Sequence, residues 1–313
     1  MTFGAPPESA FGAGTPVGAE PSAALTGPTG AGMGQGSAEE AVAQVTVERT
    51  RTSNGQSSQA MAHFAATKLV EGLSRNPEQT AMELAGLDRP LPHVGRCSNP
   101  LEYPELPLAA LPELRLLDAG EVTISNGPGA AGTGAGTIVL APRAFPSISS
   151  LASGVVYTSR DRDADALPSG AFYRVRIAGS ERVSGLELSG RAPRELSQVT
   201  VGGMPLDQVT RVATSQPMDL TWDVGSPADR VYVDVLSVDD PDVALRCNFN
   251  DAEGSGSISS ELLAIFAEEP VVLALHRRRT VSSAPAVLHG EALRPASRLR
   301  FDFELSHVVE FVR

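Results

Sequence analysis

From Ala43 onward, hydrophobic and polar residues alternate with a period of two, the pattern of strands that bury one face. The carboxyl end shows it most plainly. Leu299, Phe301, Phe303 and Leu305 alternate with Arg300, Asp302, Glu304 and Ser306, and His307, Val309 and Phe311 continue the apolar parity. This predicts Phe301 and Phe303 pointing inward, Asp302 and Glu304 pointing outward, and His307 as a hydrogen-bonded core residue. Val231, Val233 and Val235 share a face opposite Tyr232, Asp234 and Leu236; Val243, Leu245, Cys247 and Phe249 line another, as do Leu220, Trp222 and Val224. Further short strands are predicted over 121–125, 137–141, 154–158, 172–177, 186–189, 199–202 and 271–277, separated by Gly, Pro, Ser and Asp. Such a succession predicts an all-β fold, an antiparallel β-sandwich with Ig-like or Greek-key connections.

The stretch before it is less uniform. Residues 45–51 read as a strand, and 58–73 read in two ways. As a hairpin, Asn54-Gly55 supplies the turn and Ala60, Ala62 and Phe64 point inward. As a helix, Met61, Phe64, Ala65, Lys68 and Leu69 share a stripe. The Asn-Gly signal is the sharper one and favours the hairpin. One short helix is predicted over 261–267, capped by Ser259 or Ser260, with Leu262, Leu263 and Phe266 apolar.

Three regions follow from this pattern. Residues 1–38 contain 29 Gly, Pro, Ala, Ser or Thr, too little apolar surface to offset the entropy of ordering, and predict a disordered amino-terminal tether. Residues 39–117 hold the hairpin or helix and an irregular connection carrying Pro90, Pro92, Pro100, Pro104, Pro107 and Pro112. Residues 118–313 form the sandwich, as one body or as two packed halves.

Composition removes whole classes of function. A net charge of -12 argues against nucleic acid and anionic membranes as partners, since both need clustered Lys and Arg. Lys68 is the only lysine, and its neighbours form no phosphate-binding loop, so Schiff-base and Walker-type chemistry would have to rest on it alone. Cys97 and Cys247 make no metal-ligand spacing; Cys247 faces inward by parity and is a candidate partner for Cys97, which sequence alone does not place within bridging distance. No transmembrane span is visible. No basic residue precedes Arg49 and no apolar run there matches a signal core. A low-complexity tether before a β-rich, Pro-rich body favours export, to a periplasmic, outer-membrane-associated or extracellular site, with the signal removed or lying upstream of Met1; a cytoplasmic protein is the alternative.

No motif forces a reaction, and no cofactor is implied. Gly127, Gly129 and Gly132 match GxGxxG, but the following β-type run leaves no helix to hold a pyrophosphate, so a hairpin loop is the simpler reading. Asp251, Glu253 and Ser255, followed by Gly256 and Ile258, start like a calcium loop. Glu261 falls one place short of the distal carboxylate and a strand precedes the segment, so a Gly-rich turn is expected instead of a metal site. Asp161, Asp163 and Asp165 read as a solvated loop. Asp302 and Glu304 lie roughly 7 Å apart by strand rise, suitable for a pair of hydrolase carboxylates, although outward charges on an amphipathic strand look the same. The five histidines make no local pattern with Ser and Asp. His276-Arg277-Arg278-Arg279 reads as a patch of solvated arginines at a strand end.

The low-complexity start, the stretch 118–124, Asp219-Leu220-Thr221-Trp222, and Cys247 to Asp251 running through Gly256-Ser257-Ile258 into Leu262-Leu263 together resemble the uncharacterised secreted β-sandwich lipoproteins of high-GC Gram-negative bacteria. The resemblance covers roughly residues 118–313 and concerns strands and turns, not a site. The amino-terminal lipid-accepting cysteine of such proteins is absent from the given sequence. The expected function is a noncatalytic, exported cell-envelope binding or structural module for an unknown envelope or extracellular ligand. The alternative is a hydrolase using Asp302 and Glu304, favoured if a deep pocket holds perturbed carboxylates.

Overall fold

The computed structural model describes residues 39–68, 87–88, 90–99, 114–127, 136–148, 152–159, 166–240, 244–266, 268–283 and 296–313. The expectations for residues 1–38, for most of the Pro-rich connection, for Gly129 and Gly132, and for Asp161, Asp163 and Asp165 fall outside them.

The fold is all-β. Its strands are β1 (Glu39–Thr52), β2 (Gly55–Lys68), β3 (Arg96–Ser98), β4 (Leu114–Leu116), β5 (Val122–Gly127), β6 (Thr137–Ile148), β7 (Ala152–Thr158), β8 (Phe172–Ile177) and β9 (Leu186–Arg191). There follow β10 (Thr200–Val201), β11 (Met204–Pro205), β12 (Arg211–Ala213), β13 (Met218–Thr221), β14 (Arg230–Ser237), β15 (Ala244–Asn250), β16 (Ser255–Ile258), the helical turn α1 (Ser260–Leu263), β17 (Pro270–Ser282) and β18 (Ala296–Val312). The predicted helix is thus a single turn, opening after Ser259. The hairpin reading of the early segment holds and the helical one is overturned. Thr52 pairs with Gly55, so the two loop residues are Ser53 and Asn54, one place earlier than the expected Asn54-Gly55, and Ala60, Ala62 and Phe64 are buried as the alternation requires.

One 14-stranded sheet runs in the order β3-β15-β14-β17-β18-β1-β2-β4-β7-β6-β5-β8-β9, with β12 paired to β18 off this path, and a 4-stranded sheet runs β11-β10-β13-β16. The expectation of purely antiparallel pairing is corrected: β1 runs parallel to β18, β4 to β7 and β12 to β18. A tight turn fixes the direction of β2 against β1, but β18 reaches β1 from the far end of the sequence, so no hairpin dictates its sense. Period-two patterning specifies a face, not the direction of a distant partner.

The odd-numbered residues of β18 serve two cores. Leu299, Phe301 and Phe303 join Val45 and Val47 of β1 and Phe64 of β2 in the first, which also contains Ile124 of β5 and Tyr173 of β8; the rings of Tyr173 and Phe301 lie 5.2 Å apart. Val309 and Phe311 belong to the second core, with the inward valines of β14, Leu273 and Leu275 of β17, and Leu220 and Ile258 of the smaller sheet. Two details of the predicted pattern change. Val224 is 54% exposed because β13 ends at Thr221, and His307 is only half-buried.

An ionic layer lies on the same face as the cores, where the sequence suggested solvated arginines. Arg277 is buried: its Nη2 donates to Asp251 Oδ1 at 2.9 Å and to the Asp223 carbonyl, and its Nη1 donates to the carbonyls of Arg194 and Glu195 at 3.3 and 3.2 Å. Arg279 makes a bidentate pair with Asp229 at 2.6 and 2.7 Å. Arg49 donates to Glu195 and to the Leu167 carbonyl at 2.8 and 2.7 Å. These arginines tie the loops around β9, β13 and β14 to the large sheet.

Candidate functional site

Alternation places His276 and Arg278 on the opposite face of β17 from Arg277 and Arg279. On that opposite face, neighbouring strands carry ionisable residues in lateral register: Tyr232 pairs with His276, Arg278 with Asp302, and Glu48 with Asp302. An open cavity of about 580 Å³ lies there, lined by residues of β1, β14, β17 and β18 together with Met61, Leu87, Phe145 and Val156.

Asp302 is therefore not the solvated outward charge that the sequence suggested. Its Oδ1 lies 3.0 Å from His276 Nδ1, and the Tyr232 hydroxyl donates to Oδ2 at 2.8 Å. The Tyr232 and His276 rings stack with centroids 4.2 Å apart, and the Arg246 guanidinium lies 4.9 Å from the Tyr232 ring centroid. Arg246 in turn grips Asp234 with two bonds of 2.7 and 2.5 Å, and Asp234 Oδ2 lies 3.9 Å from His276 Nε2. Burial opposes the charge of both His276 and Asp302, but their mutual contact outweighs it: His276 is raised above the usual imidazole range and Asp302 is lowered below the usual carboxylate range. Burial pushes Tyr232 well above the ordinary phenol value, reinforced by Asp302.

Glu304 also lines the cavity, accepting a long bond of 3.5 Å from the Thr50 hydroxyl. Facing Asp302 across the parallel pair is Glu48. Burial raises its pKa, with the Asp302 charge adding to the effect, even though the Gln59 amide donates to it at 2.6 Å. At the other end, Arg300 Nη1 lies 2.7 Å from Asp88 Oδ1, and Arg278 approaches the same oxygen at 3.6 Å. Burial disfavours the Asp88 charge, but Arg300 outweighs it and lowers the pKa. His63 shares that end; burial depresses its pKa to about 4, so it is neutral at pH 7.

Residues 92–98 pack onto β15. The Asn248 amide donates to the Pro92 carbonyl at 2.7 Å, Gly95 N–H donates to the Asn248 carbonyl at 2.7 Å, and β3 pairs with β15. Cys97 and Cys247, whose pairing the sequence left open, form a disulfide across that pair.

The calcium-like segment takes another course. Asp251 is fully buried against Arg277, and a Cβ at Gly225 would come within 1.8 Å of Asp251 Oδ2. Glu253, Ser255 and Glu261 are exposed. Among the described residues no three His, Cys, Asp or Glu side chains are grouped to hold a metal. Burial raises the Asp251 pKa despite Arg277. The sequence displayed the acidic spacing but not the arginine, 26 positions later, that occupies the first carboxylate.

Sequence reasoning named Asp302 and Glu304 but missed Glu48, His63, Asp88, Tyr232, Asp234 and Arg246 as parts of the same site. A signal was present: several strands carry residues of opposite charge at the parity facing away from the core. It could not be read without the strand order. The chain matches no known family model and no curated protein, so geometry carries the functional reading.

Proposed function

We propose that this chain is a noncatalytic binding module of the cell envelope, exported like the β-sandwich lipoproteins it resembles, and that it takes a small polar ligand into the cavity of the large sheet. The carrying observation is that six of the charged or polar groups at that cavity hold one another: Asp302 with His276 and Tyr232, Asp234 with Arg246, and Arg300 with Asp88 beside it. Fixed, mutually neutralised dipoles can orient a ligand without reorganising. The disulfide supports an oxidising compartment, since such bonds are rare among cytosolic proteins of ordinary organisms. The packing of β5 and β8 onto β1 and β18 around the first core supports a sandwich-type arrangement with Ig-like or Greek-key connections.

Ligand-observed NMR with neutral, anionic and cationic fragments tests the proposal. Fragments should bind wild type, be recovered unchanged, and lose binding in Leu236→Trp, which fills one wall of the cavity. Binding that ignores this substitution, or no binding at all, would overturn it.

One observation favours a hydrolase as a second reading. Glu48 has a raised pKa opposite an Asp302 held ionised, a combination that suits a general acid beside a base. The pair would then be Glu48 and Asp302 instead of Asp302 and Glu304. Release of nitrophenol from nitrophenyl glycosides, abolished by Glu48→Gln, would favour this reading over the first.

A further inference from the structure

The large sheet ends at β9, whose six residues make it the longest terminal strand of either sheet; β3 has three, β11 two and β16 four. Hydrogen-bond parity fixes which of its backbone groups look outward. Ala178 N–H donates to the Glu121 carbonyl and Ala192 N–H to the Ala171 carbonyl, so even-numbered residues of β8 bond to β5 and odd-numbered ones bond to β9. Leu186, Leu188 and Gly190 are therefore tied to β8, and the N–H and C=O groups of Glu187, Ser189 and Arg191 point away from it. Among the described residues no strand pairs with that edge. Arg279 Nη1 donates to the Arg191 carbonyl at 3.0 Å, which leaves that oxygen a second lone pair.

Such an edge is a template for a further strand, and β9 carries no proline, lysine or bulge to obstruct one. Its side chains restrict which strand fits. Glu187, Ser189 and Arg191 are exposed, while Leu188 and Gly190 are buried on the core side. When a second β9 is laid antiparallel about a two-fold axis through Ser189, Glu187 of each copy faces Arg191 of the other, and two small serine side chains meet at the axis. An axis through Glu187 or Arg191 would oppose like charges instead. Within one chain both charged side chains stay at the surface: Glu187 pairs with Arg174 at 2.9 Å while 54% exposed, and Arg191 donates to the Gly170 carbonyl at 3.0 Å.

We propose that β9 is a self-association edge, through which two copies of this chain join their large sheets in an antiparallel register centred on Ser189. The interface is isologous, with two Glu187–Arg191 pairs related by the axis. The cavity takes no lining residue from β9, so this pairing goes beyond the binding-module reading and does not depend on it.

Sedimentation equilibrium of the full chain over a wide concentration range tests the proposal and should show monomer and dimer in exchange. Ser189→Pro removes an N–H that points away from β8, and should leave monomer alone with an unchanged circular dichroism spectrum. Glu187→Arg and Arg191→Glu, each by itself, oppose like charges twice per dimer and should weaken association at least about tenfold. Mixing these two variants restores both opposite-charge pairs and should restore the dimer, which keeps the test decisive if Ser189→Pro folds poorly. Monomer at every concentration of wild type would overturn the proposal, as would a dimer indifferent to Ser189→Pro and to both charge reversals. A mixture that stays monomeric would overturn the register.

Discussion

Arg277 and His276 are consecutive in β17, yet they enter two ionic clusters on opposite faces of one sheet, and the clusters differ in what surrounds them. Arg277 is packed against Asp251, Asp223 and three backbone carbonyls between the two cores, with both terminal nitrogens bonded to protein atoms. His276 and its partners Asp302, Tyr232 and Asp234 border a cavity of about 580 Å³. The chemistry is the same, buried charge neutralised by buried charge, but the first cluster fastens loops and the second shapes a space. Burial and pairing alone therefore do not mark a functional site; room beside the paired groups does.

Substitutions can separate the two clusters. The largest effect is expected from Arg277→Met, which leaves Asp251 buried without its partner and should cost about 3–5 kcal/mol in urea denaturation. A cost near zero would mean that the loops are held by other contacts and would erase the contrast.

The next effect belongs to the cavity face and depends on pH. His63 titrates at about 4 in the folded protein against 6.5 in the unfolded chain. Above pH 6.5 its contribution to stability is complete; as pH falls toward about 4 only the unfolded chain takes up the proton, and about 3 kcal/mol is lost. His276 works in the opposite sense: raised above 6.5, it contributes fully below that value, and the contribution disappears as pH rises through its folded pKa. His63→Phe should flatten the acid limb of the stability profile and His276→Gln the alkaline limb. Unchanged limbs would show that the face is more hydrated than its geometry implies.

Asp302→Asn ranks third, at about 2 kcal/mol, since it weakens charged hydrogen bonds to His276 and Tyr232. It should also lower the His276 pKa, which ring-proton NMR reads directly. Tyr232→Phe should cost least, about 1 kcal/mol for one hydrogen bond, and leave the Arg277 cluster untouched.

The expected order shows what the sequence could and could not convey. Burial of one strand face is local, so Phe301, Phe303, the inward valines of β14 and the face of the first hairpin were all legible from alternation. The same alternation marked Asp302 as outward, and it does point away from the core. What alternation could not supply is that β14, β17 and β1 bring Tyr232, His276 and Glu48 beside it, which turns a nearly neutral surface substitution into a costly one. Arg277 was misread for the same reason: its partners come from the loops around β9 and β13 and from the end of β15, and non-local pairing leaves no trace in a period.

β18 lies inside the large sheet, between β17 and β1, and contributes to both cores, although it is the last of the described strands. That arrangement sets the timing of folding. Until residues 296–312 are in place, β1 lacks its parallel neighbour, β17 lacks one of its two antiparallel ones, the first core lacks Phe301 and Phe303, and the second lacks Phe311. Pairing β1 with β18 closes a loop of more than two hundred residues, which makes it slow. Neither core can therefore close completely before these long-range pairings form.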